Sequence, residues 1–490
     1  MSMPDSTDLP VVVIGAGPVG LAAAAHLTER GIRTLVLERG ARAGAAVREW
    51  GHVRLFSTWR ELIDPAAERL LAPTGWVRPE AGRYPTGAEW AAEYLQPLAD
   101  ALGERVRYGA TVTGVARAGR DRVVDSGRAH QPFTVHLTLA EGDEAEIPSG
   151  TALGAPPSVS LGAPPSVSWG RISARAVIDA SGTYGTPNPL GADGYPAEGE
   201  QALAARGLIT YRVPDFGDPA VRARFAGRRT AVVGTGASAF TALAGLAALA
   251  RTEEGAGTHA VWVLRRGISG STFGGGSADQ LPARGALGLA AKAALDEGHA
   301  HALTGFRTAA VAREGDRLVL AADDGRRTEP VDQVIVLTGL RPDLSFLAEV
   351  RLGLDERLSA PAALAPLIDP NRHSCGTVRP HGAAELSHPE EGLFLAGMKS
   401  YGRAPTFLAM TGYEQVRSLA AALAGDTEAA RRVELTLPET GVCGGAGLFD
   451  EAAGDAGTAG GCCAPGPRLI PLGVGAPDVA AARPSGGCCG

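Results

Sequence analysis

Two glycine-rich turns, about 220 residues apart, each follow a run of strand-forming apolar residues and each open an alanine- and leucine-rich segment. The first is Gly15-Ala16-Gly17-Pro18-Val19-Gly20, after Val11–Ile14; the second is Gly234-Thr235-Gly236-Ala237-Ser238-Ala239, after Arg229–Val233. Strands apolar at every position, rather than at alternate ones, belong to parallel sheets covered on both faces. Around the first turn the pattern predicts a helix from about Pro18 to Arg30, closed by Gly31, then a second strand over Arg33–Leu37. Around the second turn it predicts a helix over Ala237–Arg251 and a strand over Thr258–Leu264. Strand, glycine turn, helix and strand thus occur twice in the order and length of a nucleotide-binding unit. The expected fold is α/β with two Rossmann-like dinucleotide-binding domains, a small antiparallel β-meander and a flexible C-terminal tail.

The spacing gives each glycine a task. Gly15 permits the tight turn, Gly17 lets backbone approach a pyrophosphate, and Gly20 lets the helix pack closely on the sheet. In the second unit Gly234 and Gly236 take the first two roles, with Ser238 at the helix start and Ala239 at the third position. Helix N-termini supply N–H groups and a positive dipole end to phosphates. The two units differ where the second strand ends. Glu38 follows the first and can accept both hydroxyls of a ribose. Arg265 and Arg266 follow the second, where a guanidinium pairs with a 2′-phosphate and stacks on adenine. These features predict FAD on Gly15, Gly17, Gly20 and Glu38, and NADPH on Gly234, Gly236, Ser238, Arg265 and Arg266.

With 490 residues, 45% of them hydrophobic, the chain is long enough for two or three domains with real cores. A net charge of −7 leaves no basic footprint for nucleic acid. The longest apolar stretch, Ala237–Ala250, is too short to span a bilayer, and the first strand begins too early for a secretory signal. A cytoplasmic protein without membrane or nucleic-acid partners is expected. Only Lys292 and Lys399 are lysines, a bias ascribed to genome composition.

Between the glycine turns, residues 50–83 read as loops and short helices over a cofactor, and 86–102 as a helix. Residues 105–108, 111–117 and 133–140 alternate as short antiparallel strands, and 174–179 is a buried strand. Leu-Gly-Ala-Pro-Pro-Ser-Val-Ser occurs in tandem at 153–160 and 161–168, which reads as an exposed hairpin extension. Residues 318–321 and 334–337 are taken as the return to the first domain, 393–396 as its last strand and 405–424 as the helix after it. The resulting division is 1–205 with 334–432 for the FAD-binding domain, 206–333 for an inserted NADPH-binding domain, and 433–490 for the tail.

These motifs together resemble the two-dinucleotide-binding flavoproteins, the group holding flavin-containing monooxygenases and thioredoxin-reductase-like enzymes, over about residues 10–425. Within that resemblance Ile178-Asp179-Ala180-Ser181-Gly182-Thr183 marks the first exit from the FAD domain, and Val336–Asp343 the return. Gly392-Leu393-Phe394-Leu395-Ala396-Gly397 marks the last FAD strand, with the Gly397 turn facing the pyrophosphate and flavin, and Met398 stands where reductases carry an acidic residue. Tyr84–Leu95 is similar to the monooxygenase-side helix. Two motifs are missing: the F-x-G-x-x-x-H-x-x-x-(W/Y) stretch of flavin monooxygenases over 195–228, and the C-x-x-C of reductases, since no cysteine precedes Cys375. The whole chain is similar to actinobacterial flavoproteins found with arsenic-resistance genes.

What the resemblance implies is hydride transfer from NADPH to FAD, then one of three outcomes. The first is a monooxygenase in which O2 adds at flavin C4a and the resulting (hydro)peroxide oxidises a soft nucleophile, such as a trivalent arsenical. The second is a thiol or metal(loid) reductase using tail cysteines. The third is a flavin-holding redox sensor or metalloid-binding protein. The partners expected are a small-molecule substrate, O2, a thiophilic metal(loid) and a second copy of the chain in a homodimer. Cys462-Cys463 and Cys488-Cys489, flanked by glycines, suit soft ions. His373, Cys375 and His381, in the loop before the last strand, are candidates for proton relay or metal binding, at a spacing that matches no established zinc set.

Overall fold

The computed structural model describes residues 8–140, 167–269, 272–279, 281–372, 378–405 and 407–435. They fall within one compact unit, Met1–Ala453; a second, Gly454–Gly490, lies outside the described residues.

The first sheet starts with β1 (Val11–Ile14), β2 (Thr34–Leu37) and β3 (Val106–Arg107). The chain then makes the meander, β4 (Ala110–Arg117), β5 (Phe133–Ala140) and β6 (Val167–Ala174), an antiparallel sheet of three. It returns through β7 (Ala176–Asp179), and β15 (Leu393–Leu395) completes an all-parallel order β15-β7-β1-β2-β3. Successive side chains point to opposite faces. Val11, Val13, Val36 and Ile178 pack toward helix α1 (Pro18–Glu29). Val12, Ile14, Leu35, Leu37, Val177, Leu393 and Leu395 pack on Val115, Val135 and Ile172 of the meander. Two faces buried under different layers explain the unbroken apolar runs.

Residues 105–108 were expected in the antiparallel set. Instead Val106 and Arg107 pair in parallel with Val36 and Leu37, extending the first sheet. The third meander strand comes from after the tandem repeat, whose last two residues, Val167 and Ser168, open β6; Ala140 pairs with Val167, so 141–166 connects the two strands. The rest of the repeat lies outside the described residues. The expected helix at 86–102 is present as Gly87–Trp90, a π-helical turn Ala91–Leu95, and Gln96–Leu102. Pro97 has no N–H to give the Glu93 carbonyl, and that carbonyl accepts the Trp76 indole N–H instead, at 2.7 Å.

The second sheet contains β8 (Ile209–Thr210), β9 (Arg229–Val233), β10 (His259–Val263), β11 (Ala300–Leu303) and β14 (Gln333–Val336), in the order β11-β10-β9-β14-β8. Helices α2 (Ala237–Ala250) and α3 (Pro282–Asp296) cover one face over Val232, Trp262 and Ile335. The hairpin of β12 (Thr308–Glu314) and β13 (Arg317–Ala322) covers the other, with Leu190, Ala197 and Leu203. Here the expected division is corrected. Neither 318–321 nor Val334–Val336 returns the chain to the first domain: Leu318 and Leu320 sit in the second core, Val334–Val336 lies beside β9, and 190–203 already share that core. The crossing sits at two paired segments: Asn188 N–H donates to Gly339 O at 2.9 Å and Arg341 N–H to Thr186 O at 2.8 Å. The second unit is therefore inserted in the first between about 187 and 340, not at 205/206 and 333/334.

Candidate dinucleotide sites

Gly15 leaves β1 with φ +99°, and a Cβ there would lie 2.9 Å from Ser181 Cα, so only glycine fits. At Gly20 a Cβ would sit 1.9 Å from Gly15 O, which sets how closely α1 approaches the turn. Gly17 is the N-cap of α1; no side chain caps that end and its first turn carries no acidic residue. A Cβ on Gly17 would meet nothing within 4 Å. The helix start thus has no side-chain cap, and the space beside Gly17 is open, as a pyrophosphate at a helix N-terminus requires. At the rim, the buried Glu38 accepts the Ala16 N–H on Oε2 (2.7 Å) and the Gly40 N–H on Oε1 (2.8 Å). Each oxygen keeps lone-pair capacity for a ribose hydroxyl. These residues fit the ADP half of FAD.

The second turn repeats the geometry. A Cβ on Gly234 (φ +133°) would lie 2.2 Å from Leu337 O, while one on Gly236, the uncapped N-cap of α2, would meet nothing within 4 Å. Ser238 is exposed in the first turn of α2. Arg265, also exposed, donates from Nη1 to Ala192 O at 3.1 Å, and Arg266 is half-buried beside it. Both stand just past β10, as Glu38 stands just past β2. This end of the second site is cationic, and its residues fit a dinucleotide with a 2′-phosphate.

The first site is closed by the turn after β15. Leu395 pairs with Asp179, which pairs with Ile14, so Gly397 leaves the sheet at the same edge as Gly15. A Cβ on Gly397 would lie 3.1 Å from Val19 Cγ2, in the first turn of α1. Behind Gly15 is a charge pair that no local sequence motif announces. Lys399 and Asp179 are both fully buried, with Nζ 2.6 Å from Asp179 Oδ2. Asp179 Oδ2 receives no aligned hydrogen bond, so that contact is Coulombic. Nζ also donates to Ser181 Oγ at 2.9 Å, which donates to Asp179 Oδ1 at 2.6 Å, and lies 4.4 Å from the centre of the Phe346 ring. Ser181 is the residue whose Cα abuts Gly15. The one signal was rarity, since Lys399 is one of two lysines.

Of the loop candidates, His381 is described and buried beneath the Gly397 turn. His373 and Cys375 lie outside the described residues, as do Cys462, Cys463, Cys488 and Cys489. No cluster of three or more His, Cys, Asp or Glu side chains is placed to hold a metal among the described residues. Among them, too, no helix is long and apolar enough to cross a membrane.

Residues 12–143 match the pyridine nucleotide-disulphide oxidoreductase family. An indole-3-pyruvate monooxygenase, YUCCA1, of Oryza sativa subsp. japonica is 33% identical over 141 residues, 28% of this chain and 33% of that protein. The chain spans a third or less of the length of that relative and of the thiamine thiazole synthase of Methanococcus maripaludis (strain C5), 47% identical over 71 residues. Among solved structures, bacillithiol disulfide reductase Bdr (YpdA) from Bacillus cereus superposes with a TM-score of 0.57 at 18% identity, covering 85% of this chain and 99% of that one. The cadaverine monooxygenase DfoA from Erwinia amylovora, solved bound to FAD, superposes at 0.52 with 14% identity, covering 88% and 98%. The fold is thus shared with flavoprotein reductases and monooxygenases alike.

Proposed function

We propose that this chain is an FAD- and NADPH-dependent oxidoreductase, with FAD on the Gly15–Gly20 turn and NADPH on the Gly234–Ala239 turn. One observation carries this: the same uncapped helix start is built twice, with a buried carboxylate at the ribose end of one and two guanidinium groups at the other. FAD, when bound, supplies the two-electron chemistry between nicotinamide and acceptor. The chain's share is alignment and exclusion of water. Gly17 and Gly236 admit the phosphates, Glu38 takes the ribose hydroxyls, and the Gly397 turn closes on the first helix.

For the electron acceptor we favour O2, with one oxygen atom passed to a soft nucleophilic substrate such as a trivalent arsenical and the other leaving as water. The absence of cysteine from residues 1–374 supports this, because no dithiol is available in the inserted unit to receive electrons. The resemblance to flavoproteins found with arsenic-resistance genes supplies the substrate class. With NADPH, a trivalent arsenical and isotopically labelled O2, the expected product carries one labelled oxygen per NADPH consumed. Loss of turnover on replacing Cys462, Cys463, Cys488 and Cys489 by serine would contradict it in favour of a reductase. Tight arsenical binding without NADPH consumption would favour a holding or sensing role.

The cofactor assignment has its own test. Arg265→Ala is expected to weaken NADPH by about 1–3 kcal/mol, read as a raised KM, through loss of a charged hydrogen bond. NADH should be almost unaffected. Equal effects on both would remove the 2′-phosphate assignment.

A further inference from the structure

Beneath the Gly397 turn lies a closed relay of polar groups. Gly397 N–H donates to Gln415 Oε1 at 2.8 Å, which fixes the orientation of that amide, since an N–H cannot face another donor. Gln415 Nε2 then donates to His381 Nε2 and to Ser400 Oγ, both at 2.9 Å. Ser400 Oγ donates to Gly397 O at 2.7 Å. On the far side, His381 Nδ1 lies 3.0 Å from Arg379 O, a carbonyl that only accepts. The pattern is self-consistent for one protonation state alone: a neutral imidazole with its proton on Nδ1 and its Nε2 accepting. Gln415 and Ser400 are fully buried and His381 nearly so, so bulk solvent does not take the place of a lost partner.

We infer that His381 is a positioning residue of the first dinucleotide site: as a neutral Nδ1–H imidazole it locks the Gln415 amide, and through it the Gly397 turn. The inference rests on the proposal that this turn borders bound FAD. The turn touches Val19 in the first turn of α1, and Gly412, in α4 (Ala409–Leu423), touches the same Val19: a Cβ at Gly412 would be 2.5 Å from Val19 Cγ2. A shift of the turn therefore reaches the helix start that faces the phosphates. Protonation would put an N–H on His381 Nε2 opposite the Gln415 NH2. If the amide stays, two donors face each other; if it turns over, its NH2 faces the Gly397 N–H. Either way a buried donor loses its acceptor.

Among the described residues, the groups facing this imidazole are Tyr401 (rings 5.6 Å apart), Glu385 in the turn after it and Glu414 on α4, the last paired with Arg417 at 2.7 Å. Burial holds the imidazole below its ordinary pKa, outweighing the Arg379 carbonyl, Glu385 and Glu414, which pull it up. Because the native pKa lies below the unfolded one, the unfolded chain binds more protons between the two. The relay's contribution is whole above about pH 6.5 and falls as pH drops below it.

The test uses the full chain loaded with FAD and three variants. His381→Gln keeps an acceptor that does not titrate, whereas His381→Phe and Gln415→Leu remove the relay. In 15N-histidine NMR spectra, a signal absent from His381→Gln should carry the Nδ1–H pattern at pH 7.5; an Nε2–H or imidazolium pattern overturns the inference. FAD release, followed by the fluorescence of freed flavin, should rise about three- to tenfold in wild type from pH 7.5 to 5.5, the scale of one hydrogen bond. In His381→Gln it should rise less than about twofold, while His381→Phe and Gln415→Leu should release FAD faster at both pH values. Wild type and His381→Gln losing FAD along one pH curve overturns the coupling and leaves the FAD assignment standing. A wild-type chain that takes up no FAD sinks that assignment and the coupling with it.

Discussion

Lys399→Met is expected to cost the folded chain about 3–5 kcal/mol, the scale for breaking a buried ion pair from one side. The substitution leaves the Asp179 carboxylate fully buried without its counter-charge and takes the donor from Ser181 Oγ. Because Ser181 Cα abuts Gly15, the damage falls on the first glycine turn. FAD should be lost along with stability. Replacing both partners, Lys399→Met with Asp179→Leu, removes the stranded charge and should recover most of the loss. Denaturant unfolding of the proteins after reconstitution with FAD, together with their flavin content, checks this. A single variant within about 1 kcal/mol of wild type would mean that solvent reaches the pair.

Gly20→Ala should be nearly as damaging, at about 3 kcal/mol, near the top of the range for overpacking. The new methyl would lie 1.9 Å from a backbone oxygen, and only a shift of α1 relieves it. That shift moves the N-terminal N–H groups off the phosphates, so FAD affinity should fall with stability. The second unit is the internal control. Ala239 holds the equivalent place and is accommodated, buried, at the start of α2; Ala239→Gly should cost only the propensity difference, about 1 kcal/mol. Melting temperature and FAD content of both variants measure the contrast. Equal losses would mean that the two turns do not differ in closeness.

Much of this architecture is legible in the chain because parallel strands buried on both faces leave runs such as Val11–Ile14 and Thr230–Val233. The glycine turns are legible because sterics admit little else there. The domain boundary was not legible: Val334–Val336 would suit either sheet equally, and its place is set by pairing with Thr230–Val233 about a hundred residues away. Val106–Arg107 is too short to declare its partner. The crossing itself is held by Asn188 and Arg341, whose side chains bond across 153 residues.

Glu38, Arg265 and Arg266 were legible as positions just past a strand, because β2 and β10 are recognisable apolar runs. Lys399, Asp179 and Gln415 were not. Their partners are set by how the last strand and its helix fold back on the first glycine turn, and nothing in local spacing records that. His381 was singled out for its loop neighbours His373 and Cys375. The structure ties it instead to a helix 34 residues on.

On the proposed function, one chain holds a flavin and a nicotinamide donor so that electrons pass directly between them. The most direct measurement is anaerobic mixing of the FAD-reconstituted protein with NADPH while the visible flavin band is followed. The band should bleach in a single turnover, faster with NADPH than with NADH. A protein that stays colourless after reconstitution, or stays yellow under saturating NADPH, would contradict it.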